Sequence, residues 1–156
     1  MDRIGLQTLH DEMRDDSRIM HDALAKAGDR LARGGEIAHE ACAHQLCRLY
    51  NAFEQMGLRT AKAFENHIDD EQGWHATLLN RLCIAIEGVR PALIPQELKS
   101  PLNELRGFRH VFVHAYDLAI DPDKLTLLLK YAQQVVGAFP ALIERFVERA
   151  AVGLDD

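Results

Sequence analysis

Residues 109–116 read RHVFVHAY. An otherwise apolar stretch therefore carries Arg109, His110, His114 and Tyr116, with Arg106 just before it. Histidine takes up or releases a proton near neutral pH, so it serves as base or acid. Arginine stays charged and matches phosphoryl oxygens through a two-pronged fork. The chemistry these types offer is proton transfer beside a stabilised anion. The competing reading is a helix end rich in histidine and arginine, which the helix macrodipole favours.

Spacing limits how these groups converge. On a regular helix His110 and His114 are neighbours at i and i+4, with Arg106 on the same side. Arg109 and His114 are five residues apart and diverge by about 140°. Arg109 and Tyr116 are nearly aligned. Bringing Arg109 to His114 needs a long arginine arm, a helix that ends near Tyr116, or a partner chain facing it. Two other groups were weighed. His39, Cys42, His44 and Cys47 suit zinc by type, but on one helix the pairs His39/Cys42 and His44/Cys47 point different ways. Buried thiols and surface histidines are the simpler reading, and no metal is assigned. Trp74 and His75 open a helix and read as a tryptophan anchor beside an exposed histidine.

Helices must carry these residues, because strand signals are nearly absent. Leu6, Leu9, Met13, Met20, Leu24, Ala27 and Leu31 recur at helical spacing until Gly34-Gly35. Cys42, Leu46, Leu49, Phe53, Met56 and Ala63 repeat the pattern to about His67. Residues 65–73 read as a polar loop. A third helix is expected from about Trp74 to Ile86, broken by Gly88, Pro91 and Pro95. Ser100-Pro101 predicts a fourth start, serine as cap and proline at the first position. Glu104 is close enough to assist, and this helix fades near Leu118. Asp121-Pro122 predicts a fifth, with Leu125, Leu128, Ala132, Val135, Phe139, Ile143, Phe146 and Ala150 inward. Pro140 is expected to kink it. The fold class is all-α: one domain over residues 1–156, an antiparallel bundle of about five helices.

Composition narrows the function. A length of 156 residues allows one real core. Net charge is −6, opposite in sign to a nonspecific phosphate-backbone binder, so nucleic acid would need a local basic site or a shared surface between subunits. No apolar run suits a membrane span, and the first residues do not read as a secretory signal. Cys42, Cys47 and Cys83 read as reduced thiols of a cytoplasmic protein.

Arg-x4-His-x-Tyr resembles the signature of the HEPN superfamily of small helical ribonucleases. The added tyrosine is similar to the HepT branch, toxins paired with a minimal nucleotidyltransferase antitoxin called MNT. The stretches LYNAFEQMGLRTAKAFEN, GWHATLLNRL, VRPALIP and LNELRGFRHVFVHAYDLAIDPDKL look like HepT-like blocks, from about Leu49 to Leu125. Val113 departs from the pattern, where relatives often carry a basic residue.

The resemblance implies a metal-independent endoribonuclease without cofactor, acting on tRNA or mRNA rather than DNA. His114 and Arg109 would be catalytic, His110 and Arg106 supporting. The motifs of two subunits would meet across a homodimer cleft, which concentrates positive charge on an acidic protein. The antitoxin would silence the toxin by transferring AMP to Tyr116. Two alternatives stay open: a catalytically inactive HEPN domain that binds nucleotide or serves as a partner scaffold, and a structural helical dimer with a polar His/Arg core.

Overall fold

The computed structural model describes residues 1–65, 73–117 and 119–154. Among them five α-helices and one 3-10 turn account for nearly all the ordered backbone, with no strand beyond a single bridge. The chain is an all-α bundle, as the periodicities require.

Helix α1 spans Arg3–Arg33 and α2 spans Glu36–Glu65. The Asp2 carboxylate caps α1 by accepting from the Gly5 N–H at 2.7 Å. Gly34 and Gly35 follow at φ 71° and 92°, a left-handed region open to glycine, and turn the chain back. The seams fall inward as read: Leu6, Leu9, Met13, Met20 and Ala27 from α1, Cys42, Leu46, Leu49, Phe53 and Met56 from α2. Helix α5, Pro122–Val152, closes the bundle. Its start is the expected one, the Asp121 carboxylate accepting from the Asp123 N–H at 2.9 Å. All eight of its expected inward residues are buried. The helix runs on through Pro140, whose ring is exposed. Helix α2 is the hub, packing on α1, α5 and the two helices between them. Phe53 meets Phe139 edge-on at 5.8 Å, joining α2 to α5 through the core.

Two elements depart from expectation, and both matter to the site. Helix α3 is Trp74–Leu82, ending four residues before Ile86. The cause is Arg90, whose side chain is fully buried. Its guanidinium donates to the carbonyls of Arg81, Ile84 and Pro91 at 3.0–3.1 Å, and to Glu65 at 3.3 Å. Carbonyls that a longer helix would use are thereby satisfied, and Ile86 pairs backbone to backbone with Arg90 instead. Helix α4, Lys99–His114, follows directly on the 3-10 turn Gln96–Leu98. Ser100 is thus inside the helix and caps nothing; the cap position is Leu98, drawn inward with Leu102 and Leu105. Pro101 still lies in the first turn, where its missing N–H costs no bond. The helix stops at His114, where Ala115 turns extended, short of Leu118.

Gly57 lies against the underside of α3. A Cβ there would fall 2.6 Å from Leu82 Cδ1, so any other residue would force that buried side chain, or α3 with it, to shift. The expected loop over residues 65–73 lies, except at its two ends, outside the described residues.

Candidate active site

Helices α2, α3 and α4 meet around an opening of about 310 Å3. Asn51, His75, Arg106, Arg109, His110, Val113 and His114 line it. The arginines and histidines of the motif therefore share one opening, with contributions from two further helices.

Arg109 resolves the angular problem by turning away from its own helix. Its guanidinium lies over the Tyr50 ring, 4.7 Å from the centroid. It grips the Glu54 carboxylate with both Nη atoms, at 2.8 and 3.1 Å, and donates to Asn51 Oδ1 at 2.9 Å. These bonds use three of its five N–H groups. The Arg109 side chain is 13% exposed and that of Glu54 10%, so the pair is largely withdrawn from water. Glu54 lies one turn from both Tyr50 and Asn51 on α2, at i+4 and i+3, with Tyr50 on the buried side and Asn51 on the exposed side. Beneath the guanidinium the Tyr50 hydroxyl is buried, with no hydrogen-bond partner among the described residues. Burial pushes its pKa up, and the charge of Glu54 adds to the rise against the opposing pull of Arg109 and Arg106.

His110 and His114 stack as the i,i+4 spacing implies, ring centroids 4.5 Å apart. The His114 Nδ1 is 2.8 Å from the His110 carbonyl oxygen. A carbonyl only accepts, so Nδ1 carries the hydrogen. In the neutral ring Nε2 is then the bare, proton-accepting nitrogen. Arg106 donates through Nε to Asn103 at 3.2 Å, and its head also reaches the opening.

His75 corrects the sequence reading. It is no bystander beside a tryptophan anchor: it lines the opening, and its Nδ1 lies 2.8 Å from Glu54 Oε2. The same nitrogen is 3.2 Å from Arg109 Nη2. A carboxylate cannot donate, so the shorter contact is Nδ1–H donating to Glu54. Trp74 is half-buried and stacks on the His75 ring at 3.7 Å. Asn51 and Glu54 were likewise missed. The available signal was an acidic residue inside an apolar α2 seam, beside Phe53.

Val113 forms part of the rim and is exposed. Tyr116 lies just beyond the end of α4, fully exposed and not among the residues that line the opening. Cys42 and Cys47 are buried, and burial raises both thiols to about 11. Among the described residues no cluster of three or more histidine, cysteine or acidic side chains is arranged to hold a metal. None of the described helices is long and apolar enough to cross a membrane.

Fold and site together define an all-α helical bundle with an arginine–histidine opening built on its second, third and fourth helices. The model of a family described as HepT-like protein matches residues 41–150. The chain belongs to the HepT-like family. The matched range contains every residue of the opening, and Tyr116 as well. Membership supports a nuclease-class, toxin-type assignment at that coarse level. No curated protein and no solved structure matches the chain.

Proposed function

We propose that the protein is a toxin that cleaves RNA without metal, using His114 and Arg109. The observation that carries this reading is the His114 ring, fixed through Nδ1 by the His110 carbonyl in an opening that also holds Arg106 and Arg109. RNA supplies its own nucleophile. His114 Nε2 removes the 2′-hydroxyl proton, and the oxygen attacks the adjacent phosphorus. Negative charge gathers on the non-bridging oxygens, where Arg106 and the N–H groups that Arg109 has left over stabilise it. Among the described residues no acidic side chain lines the opening, and Glu54 beneath it is matched by Arg109. An acidic protein thus offers a locally cationic pocket to an anionic substrate.

Control is assigned to Tyr116. Its side chain is fully exposed, open to a nucleotidyltransferase antitoxin of the MNT type. AMP on its oxygen brings a phosphate that the arginines would attract, and bulk that would cover the pocket. A homodimer facing across α4, where Val111 and Val113 are exposed, would double the cationic charge. The workplace is the cytoplasm and the substrate tRNA or mRNA.

A second reading is favoured by one observation. Glu54 neutralises Arg109, as suits a domain that binds nucleotide or a partner without cutting. One assay separates them: total RNA incubated in EDTA with wild type, Arg109→Ala and His114→Ala, circular dichroism recording the fold. Cleavage by wild type alone supports the ribonuclease. Intact RNA with retained nucleotide binding supports the scaffold. Cleavage that EDTA abolishes overturns the metal-free mechanism. Tyr116→Phe should stay toxic beside the antitoxin; full neutralisation would remove the role given to Tyr116.

A further inference from the structure

Cleavage by the 2′-hydroxyl needs two proton transfers. One proton leaves the attacking oxygen, and another must reach the departing 5′-oxygen, a poor leaving group as an alkoxide. Attack and departure occur on opposite sides of phosphorus, so base and acid have to flank it. The motif on α4 supplies one such flank. The other is on α3.

We propose that His75 is the general acid of the same opening, oriented by Glu54, so that one chain holds both proton-transfer groups. This rests on the ribonuclease reading above. Three features converge on His75. It lines the same 310 Å3 opening as His114 but projects from a different helix. Its Nδ1–H is committed to Glu54 at 2.8 Å, and Nε2 has no partner among the described residues. Arg109 Nη2 lies 3.2 Å from the ring, which places the anion-stabilising group directly beside it.

The partners of the two histidines separate their roles. His114 is held by a neutral carbonyl, an arrangement that leaves Nε2 free to accept. His75 is held by a carboxylate that accepts from Nδ1–H, so in the protonated ring the proton on offer is the one on Nε2, which has no partner among the described residues. The charged groups facing His75 are Glu54 from α2 and Arg109 from α4, with Arg106, His110 and His114 on the same rim. In the balanced step, His114 Nε2 takes the 2′-proton, the 2′-oxygen bonds to phosphorus, the bond from phosphorus to the 5′-oxygen breaks, and His75 Nε2–H protonates that oxygen. The products are a 2′,3′-cyclic phosphate and a 5′-hydroxyl end. His114 finishes protonated and His75 neutral, and exchange with water restores both.

The test uses leaving-group chemistry. A short synthetic RNA is prepared with one cleavable linkage, and again with sulfur replacing the 5′-bridging oxygen. A thiolate departs without protonation, so the sulfur linkage needs no acid. His75→Gln, whose amide N–H can still reach Glu54, should lose about 100-fold or more on the oxygen linkage and cut the sulfur linkage close to the wild-type rate. His114→Gln should fail on both. The sulfur-to-oxygen rate ratio is read within each variant, so a loss of folded protein cancels. An unchanged ratio in His75→Gln, whether both linkages are cut well or both poorly, overturns His75 as acid while leaving the ribonuclease reading intact. Wild type that cuts neither linkage overturns the ribonuclease reading itself.

Discussion

Among the described residues two arginine–glutamate pairs are largely buried, and their difference separates scaffold from site. Arg90 with Glu65 sits where α2 meets the irregular stretch after α3; Arg109 with Glu54 sits where α2 meets α4. In the first, Arg90 has no exposed side-chain surface, and it also binds three backbone carbonyls. Its charge is spent on holding chain. In the second, Arg109 binds no backbone carbonyl among the described residues, keeps N–H groups in hand, and shares its carboxylate with a histidine at a solvent-open pocket. An ion pair by itself therefore says little about role. What the remaining donors face decides it.

Breaking each pair should give opposite phenotypes. The largest expected effect is on catalysis: Arg109→Lys keeps charge but loses the fork, and cleavage should fall on the order of 10²–10³-fold. Arg90→Lys should instead leave the rate per folded molecule near wild type. Next comes stability. Arg90→Ala leaves three carbonyls without their donor and Glu65 with Arg81 as its remaining partner, at a cost of about 3–5 kcal/mol. With about 2–4 °C per kcal/mol for a chain of this size, thermal circular dichroism should show a fall in Tm on the order of 10 °C. Equal behaviour of the two arginines in both assays would erase the distinction.

Gly57→Ala sharpens the comparison, because it disturbs the seat of α3 without touching either pair. The added methyl meets Leu82, and overpacking should cost about 1–3 kcal/mol, partly offset by about 1 kcal/mol of better helix propensity. Cleavage should drop more than the melting curve alone explains, since His75 rides on α3. A rate that follows the folded fraction alone would contradict this.

The smallest effects concern the thiols. Cys42 and Cys47 have folded pKa values near 11 against an ordinary 9.0, both raised by burial. The folded state thus holds these protons longer than the unfolded chain does. The contribution is fully present below pH 9 and is lost as pH rises from 9 toward 11. Urea midpoints should decline over that window, and iodoacetamide at pH 8 should label these cysteines only after unfolding.

Much of the fold was legible because apolar residues at helical spacing report directly which face is buried. The long α1, α2 and α5 needed nothing else. Helix ends were less legible where a distant group intervened. Nothing local announces that Arg90 will satisfy the carbonyls of Arg81 and Ile84, so α3 was read too long. The site divides the same way. Arg106, Arg109, His110 and His114 were legible as neighbours in the sequence, though not their convergence, since Arg109 and His114 diverge on a regular helix; all four line the opening. Asn51, Glu54 and His75 reach Arg109 across 58, 55 and 34 residues of chain. No single-helix projection contains them. Glu54 was the available clue, since it lies one turn from the buried Tyr50 and interrupts a seam of α2 that is otherwise apolar.

Trp74 is the only tryptophan in the chain, and its ring lies against that of His75, centroids 3.7 Å apart and planes tilted by 32°. Indole emission responds to whatever touches the ring, so the fluorescence of this protein watches the opening from within. It should shift when a phosphate-bearing ligand enters, and His75→Gln should lose much of that response. A single unlabelled cuvette thus reads occupancy of one pocket in solution.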